Sequence, residues 1–244
     1  MSPARRALSL ARSLNTGEVH LWFGSLEALV PHERALNNLL SLEEKARLDK
    51  YAFPVHRRRF ILRRGILRLI LASYLECRAQ DITYVYGAYG KPSLAGGPAF
   101  NLADCDDDFI CAVTRHGEVG VDIERVRPLE DFAEIAQRYF SSLENKVFAS
   151  LHESERLEAF FCGWTRKEAI VKAEGMGLSR PLDSFDVMLY PDCRKQTVMV
   201  SPGRTWSLCD IRPAPGLIGA VATAADQGGA TTMRLISGFD MLID

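Results

Sequence analysis

No apolar run in the sequence approaches the roughly 18 residues that a membrane-spanning helix needs, which excludes an integral helical membrane protein. There is no Cys-x-x-Cys pair among Cys77, Cys105, Cys111, Cys162, Cys193 and Cys209. In a chain long enough to bury an ordinary core, they read as reduced thiols of a cytoplasmic protein. Charge of one sign is not in excess either, the formal net charge being only −1. The segment to Leu14 carries Arg5, Arg6 and Arg12, but its apolar stretch is too broken for a secretory leader; an organelle-directing segment is the minor reading. What is there is globular: 244 residues, 47% hydrophobic and 25% charged, which rules out disorder, collagen or coiled coil as a description of the whole.

The small net charge hides an uneven distribution. Residues 1–99 hold 15 Lys/Arg against 8 Asp/Glu, whereas residues 100–244 hold 15 against 23. A basic wall facing an acidic one suits a site that grips phosphates on one side and a divalent cation on the other; chance scatter of surface charge is the plainer alternative. Nucleic acid is a poor partner, since the acidic half would repel its backbone.

Strand, turn and helix signals come twice in one order. A strand at Val19–Phe23, a capping box at Ser41-Leu42-Glu43-Glu44 and a helix over 55–77 are followed, 101 residues on, by a strand at Gly120–Glu124, a box at Ser141-Ser142-Leu143-Glu144 and a helix over 156–174. In that register Ser41-Leu42-Glu43 falls on Ser142-Leu143-Glu144. Further strands are predicted at 82–86, 109–114, 205–209 and 216–222, with Arg115-His116-Gly117 joining 109–114 to 118–124 as a hairpin. The expectation is an α+β protein of two similar halves, 1–105 and 106–244, related by a pseudo-two-fold, with antiparallel sheets, packed helices and a cleft between the halves.

Period-two alternation puts Gly120, Asp122 and Glu124 on one face of their strand, two carboxylates beside a glycine that leaves room for a ligand. Such a pair is a hard-oxygen site suited to Mg²⁺, or merely the acidic face of an exposed strand. Helical spacing lines up Trp164, Glu168 and Lys172, a base or metal ligand beside a cation, or else a surface ion pair. In the basic half, a helical wheel groups Arg57, Arg64 and Arg68 on one arc. Arg59 and Arg63 fall on the inward face, where a charge needs an anion to meet. Lys91 sits in a turn from which it could reach a ligand.

Several segments together resemble the 4′-phosphopantetheinyl transferases of the large, pseudodimeric type that activate peptide and polyketide synthases. They are Tyr89-Gly90-Lys91-Pro92, Phe100-Asn101-Leu102, Gly120-Val121-Asp122-Ile123-Glu124, Arg138-Tyr139-Phe140-Ser141, Trp164-Thr165-Arg166-Lys167-Glu168-Ala169 and Gly175-Met176-Gly177-Leu178-Ser179, in the family's order and spacing. The resemblance implies that a serine of an apo acyl or peptidyl carrier protein attacks the β-phosphate of coenzyme A, taking phosphopantetheine and releasing 3′,5′-ADP. It implies Asp122, Glu124 and Glu168 as ligands of Mg²⁺, with Mn²⁺ an alternative ion, Glu168 as the acceptor of the serine proton, and Lys172 on the pyrophosphate. Arg47, Arg59 and Lys91 match positions that grip coenzyme A. Glu144 is a second candidate for the catalytic site, its capping box being the rival reading. Arg125 and Arg127, with Leu129, Phe132 and Ile135 beyond them, are the expected docking surface for the carrier. The expected enzyme is cytoplasmic and monomeric.

One segment departs from the pattern. The family continues Phe-Asn-Leu with Ser-His-Ser; here Ala103-Asp104-Cys105 is followed by Asp106-Asp107-Asp108. An ionised Asp104 would repel a coenzyme A phosphate unless a cation bridges the two or the acid is protonated. A weakened relative that binds carrier or coenzyme A without efficient transfer is therefore the alternative, and a Mg²⁺-dependent pyrophosphate hydrolase a more distant one.

Overall fold

The computed structural model describes residues 14–191, 195–225, 232–237 and 242. The N-terminal segment with Arg5, Arg6 and Arg12, and Cys193, lie outside these residues. The chain is mixed α+β, built on two four-stranded sheets. The first takes β1 (Glu18–Ser25), β4 (Ala99–Cys105), β5 (Asp108–Thr114) and β10 (Thr232–Ile236) in the order β10-β1-β5-β4. The second takes β6 (Val119–Arg125), β7 (Lys195–Ser201), β8 (Arg204–Ile211) and β9 (Leu217–Ala224) in the order β6-β9-β8-β7. All pairings are antiparallel except β10, which lies parallel to β1. A two-stranded ribbon, β2 (Val85–Tyr86) with β3 (Pro92–Ser93), completes the strands. Among the described residues six α-helices accompany them: α1 (Glu33–Asn38), α2 (Leu42–Leu48), α3 (Pro54–Leu75), α4 (Phe132–Tyr139), α5 (Ser142–Ser150) and α6 (Glu153–Glu174).

The alternation of strand side chains generates three apolar cores. Trp22, Phe100, Phe109 and Val113 face α3 with Ile66 and Ile70. Trp206, Ile218 and Ala220 face α6 with Phe161 and Ile170. Between the sheets lie Val19, Leu21, Ile110 and Ala112 of the first and Val119, Val121 and Ile123 of the second, none more than 2% exposed. The order helix, sheet, sheet, helix follows from strands that are apolar on both faces.

Where the sheets meet, two edges lie side by side. Asn101 of β4 accepts the Val121 amide of β6 on its side-chain oxygen at 2.8 Å, and the Cys105 thiol accepts the Arg125 amide at 3.3 Å. Both contacts step by four residues on each strand, so β4 and β6 run parallel across the junction. Each edge has amides that sheet pairing leaves open, and side chains satisfy two of them.

One local device occurs twice. Ser41 caps α2 and Ser141 caps α5, each with a glutamate, Glu44 or Glu144, closing a capping box. Each glutamate also pairs with a buried cation of the following long helix, Arg68 at 2.7 Å and Lys167 at 2.8 Å. Each cation then donates to two carbonyls three residues apart beyond its helix: Arg68 to Ala79 and Ile82, Lys167 to Leu182 and Phe185.

Three expectations change. The capping boxes lie as expected at Ser41–Glu44 and Ser141–Glu144, but they correspond at a shift of 100 rather than the 101 that pairs Ser41 with Ser142. Arg115-His116-Gly117 closes no hairpin: β5 pairs with β1 and β4, and β6 pairs with β9. The chain passes from the first sheet to the second at 115–118, after the β4–β5 hairpin, and β10 returns to the first sheet. The strand over 82–86 shrinks to Val85–Tyr86, since Arg68 holds the Ala79–Asp81 turn and the Ile82 carbonyl.

A buried ion pair stripped of one partner leaves a charge without compensation. Arg68→Met and Lys167→Met should each lower the unfolding free energy by about 3–5 kcal/mol, measured by urea denaturation. Losses below about 1 kcal/mol would mean that these pairs do not anchor the helices.

Candidate active site

Helix α6 brings its partners to β6 because residue 120 is glycine. A Cβ there would stand 2.0 Å from the Ala169 carbonyl oxygen and 2.3 Å from the Ala173 nitrogen. The space at Gly120 thus belongs to the helix backbone and not, as the sequence suggests, to a ligand. This contact sets Asp122 and Glu124 against the helix face carrying Glu168 and Lys172.

Asp122 is 5% exposed. Its Oδ1 accepts from the Lys172 Nζ at 2.5 Å, and its buried Oδ2 has no partner. Glu168 does not take Lys172 as an ion-pair partner one helical turn away; the ammonium reaches across to the strand instead. Burial, then the charge of Asp122, raises the carboxyls of both Glu124 and Glu168 above the usual range. Burial also raises Asp122 itself, against the pull of Lys172, whose own ammonium is held protonated by Asp122. The Cys105 thiol donates to Glu124 Oε2 at 3.5 Å.

The donor set is one of hard oxygens, and the unpartnered Asp122 Oδ2 is an anionic atom in a low-dielectric place. Both fit a small divalent cation. Among the described residues no three His, Cys, Asp or Glu side chains stand close enough to enclose a cation by themselves. Mg²⁺ does not ask for that: it keeps several waters and takes one or two carboxylates beside a substrate phosphate.

Across the β4–β6 junction lies a cavity of about 300 Å³ lined by Arg47, Tyr51, Arg59, Phe60, Arg63 and Arg64, with Phe100-Asn101-Leu102 of β4 on its wall. Arg47 and Arg64 rest over the Phe60 ring at 5.8 and 5.7 Å. Arg59 and Arg63, expected to face inward, are 32% and 40% exposed at the cavity and do meet an anion. It is Asp104, 2.8 Å from Arg63 and 3.5 Å from Arg59. Arg63, absent from the predicted ligand grips, was signalled by its place one turn after Arg59. Arg68, read as sharing an outward arc with Arg57 and Arg64, is the buried member of the helix because Glu44 waits for it.

Beyond Glu168 and Lys172 a mainly apolar cavity of about 450 Å³ opens between Tyr139, Val171, Pro181 and Leu182.

Two residues predicted for the site have other employment. The Glu144 carboxylate is consumed by the Ser141 amide, the Val187 amide and Lys167, which makes it part of the fold. The Lys91 Nζ donates to the Val119 and Ala173 carbonyls at 3.0 and 2.8 Å, closing the end of α6 against β6, and burial lowers its pKa to about 8. It is not among the residues lining the arginine cavity. Arg125 is paired with Asp106 and Asp108 of the β4–β5 turn, while Arg127 is exposed.

An arginine-lined cavity on one side of a strand junction and carboxylates with one lysine on the other have the chemistry that would suit a phosphate-bearing ligand. Residues 118–216 match the model of the 4′-phosphopantetheinyl transferase superfamily. The chain is 35% identical over 217 residues to the 4′-phosphopantetheinyl transferase HetI of Nostoc sp., covering 87% of this chain and 90% of that one. To the 4′-phosphopantetheinyl transferase Sfp of Bacillus subtilis it is 29% identical, covering 72% of this chain and 84% of the relative. A solved structure, the holo-[acyl-carrier-protein] synthase of Thermotoga maritima, matches 44% of this chain and 62% of its own at 19% identity with a TM-score of 0.30, a likeness too weak to bear on the site. The chain belongs to the 4′-phosphopantetheinyl transferase family.

Because the folded state raises the carboxyls of Asp122, Glu124 and Glu168, it holds protons that the unfolded chain has already released. Stability of the metal-free protein should therefore fall as pH rises above the ordinary carboxylate range of about 4. Glu168→Gln should flatten that slope in a thermal-melt series and reduce the rise in melting temperature on adding Mg²⁺. An unchanged slope and an unchanged Mg²⁺ response would remove Glu168 from the cluster.

Proposed function

We propose that this protein transfers the 4′-phosphopantetheine group of coenzyme A to a serine of an apo acyl or peptidyl carrier protein and releases 3′,5′-ADP. The observation that carries the reading is the combination of family membership with the Asp122, Glu124, Glu168 and Lys172 cluster beside an arginine-lined cavity. Asp122 with Glu124 or Glu168 would hold Mg²⁺, or Mn²⁺ in its place, alongside water and the substrate phosphate. That ion, when bound, supplies neutralising charge on the pyrophosphate. Lys172, fixed by Asp122, adds a second positive charge on which the leaving 3′,5′-ADP draws. Glu168, on α6 one turn before Lys172, takes the serine proton. Arg47, Arg59 and Arg63 grip the phosphates of the nucleotide end.

The two halves act as pseudo-two-fold partners, with the site between them. Support comes from the twinned Ser41–Glu44–Arg68 and Ser141–Glu144–Lys167 devices and from the matching orders β4-β5-β1 and β8-β9-β6. The carrier docks where Arg127 stands exposed beside Leu129 and Phe132; Arg125 contributes less, being already paired with Asp106 and Asp108. The enzyme works as a cytoplasmic monomer, a setting in keeping with free thiols at all five described cysteines. No described helix is long and apolar enough to cross a membrane.

The test is to incubate the protein with coenzyme A, Mg²⁺ and an apo carrier, then weigh the carrier. Its mass should rise by one phosphopantetheine, and Asp122→Asn should lower the rate at least about 100-fold while preserving the circular dichroism of the fold. A carrier of unchanged mass, with coenzyme A consumed or untouched, would contradict transfer. Arg127→Glu should raise the carrier KM several-fold at low salt and less at high salt. A KM indifferent to both would move the docking surface elsewhere.

A further inference from the structure

The turn joining β4 to β5 is unusually acidic, with Asp104, Asp106, Asp107 and Asp108 in five residues. Asp106 has the positive φ, 50°, that a two-residue hairpin turn requires. The turn directs its acceptors at arginines. Asp104 lies between Arg63 and Arg59, its side chain only 16% exposed. Arg59 also donates to the Asp106 carbonyl and stands 3.5 Å from Asp107. Two of the four guanidinium groups lining the cavity, Arg59 and Arg63, are thus already engaged by the protein's own carboxylates, while Arg47 and Arg64 rest on the Phe60 ring.

We propose that Asp104 is a built-in competitor for the phosphate site: it neutralises Arg59 and Arg63 in the ligand-free protein, and a phosphate-bearing ligand must displace it from them. The inference rests on the coenzyme A reading above and adds to it a residue that sets affinity and selectivity. Three consequences follow from the chemistry. A carboxylate and a phosphate cannot both take the same N–H pairs of two guanidinium groups without repelling each other, so Asp104 weakens the bound state. The weakening falls on the phosphate-dependent part of affinity alone. Discrimination between a phosphorylated nucleotide and its unphosphorylated counterpart is correspondingly reduced, and the phosphorylated product leaves more easily.

Calorimetric titration of the full-length protein and of Asp104→Asn with 3′,5′-ADP and with adenosine tests this. Asparagine keeps the size of the side chain and removes its charge, and Asp104→Ser repeats the test with a smaller neutral group. Both variants should bind 3′,5′-ADP about fivefold more tightly than the native protein, with adenosine binding unchanged and the gain reduced at high salt. In steady state both should lower the coenzyme A KM. If 3′,5′-ADP binds native and variants equally, or adenosine gains as much, Asp104 does not compete and the proposal falls while the coenzyme A reading stands. If the variants bind more weakly, Asp104 positions the arginines for the ligand instead, and the proposal falls likewise. If 3′,5′-ADP binds none of the three, both fall.

Discussion

The close approach of β6 to α6 governs everything at the site. Gly120 lies so near the helix that one added methyl would overlap two backbone atoms of residues 169 and 173. Only at that separation can Lys172 reach Asp122 and leave Asp122 Oδ2 buried without a partner. Lys91 reinforces the contact from the far side by joining the Val119 carbonyl of the strand to the Ala173 carbonyl of the helix. A basic residue at a helix C-terminus is favourable in its own right. Here it also fixes the height of the helix over the strand.

A second constraint links the carboxylates to the arginines. Strands β4 and β6 belong to different sheets, yet Asn101 and Cys105 bind amides of β6 as though a ladder continued. Asp104 lies between those two anchors on β4, and Asp122 lies between their partners on β6. The junction therefore brings the acidic cluster and the basic cavity within electrostatic reach: the charge of Asp104 is felt by both Asp122 and Lys172. The uneven charge of the two ends of the sequence has become two neighbouring walls of one region.

Much of this is legible in the sequence. Period-two alternation found Asp122 and Glu124 on one face, and helical spacing placed Glu168 and Lys172 together. Both are local properties of regular backbone. The capping boxes were legible for the same reason, a cap being a contact over three residues. The errors came from long-range contacts. Whether Gly120 makes room for a ligand or for a helix depends on what packs there, and Lys167 claims Glu144 from the next helix. The Arg115–Gly117 turn looks like a hairpin because hairpin signals are local, whereas the choice of β9 as the partner of β6 is made about 100 residues away. Asn101 carried a motif but no readable role, since its partner is an amide on another sheet.

The most direct test of the arrangement is a crystal structure of the protein with coenzyme A and Mn²⁺, the ion being located by its anomalous scattering. The ion should lie on Asp122 with Glu124 or Glu168, touching the pyrophosphate beside Lys172, with a phosphate of the nucleotide end on Arg59 and Arg63. An ion bound away from Asp122, or a coenzyme A whose pyrophosphate lies out of reach of Lys172, would contradict a single site built across the β4–β6 junction.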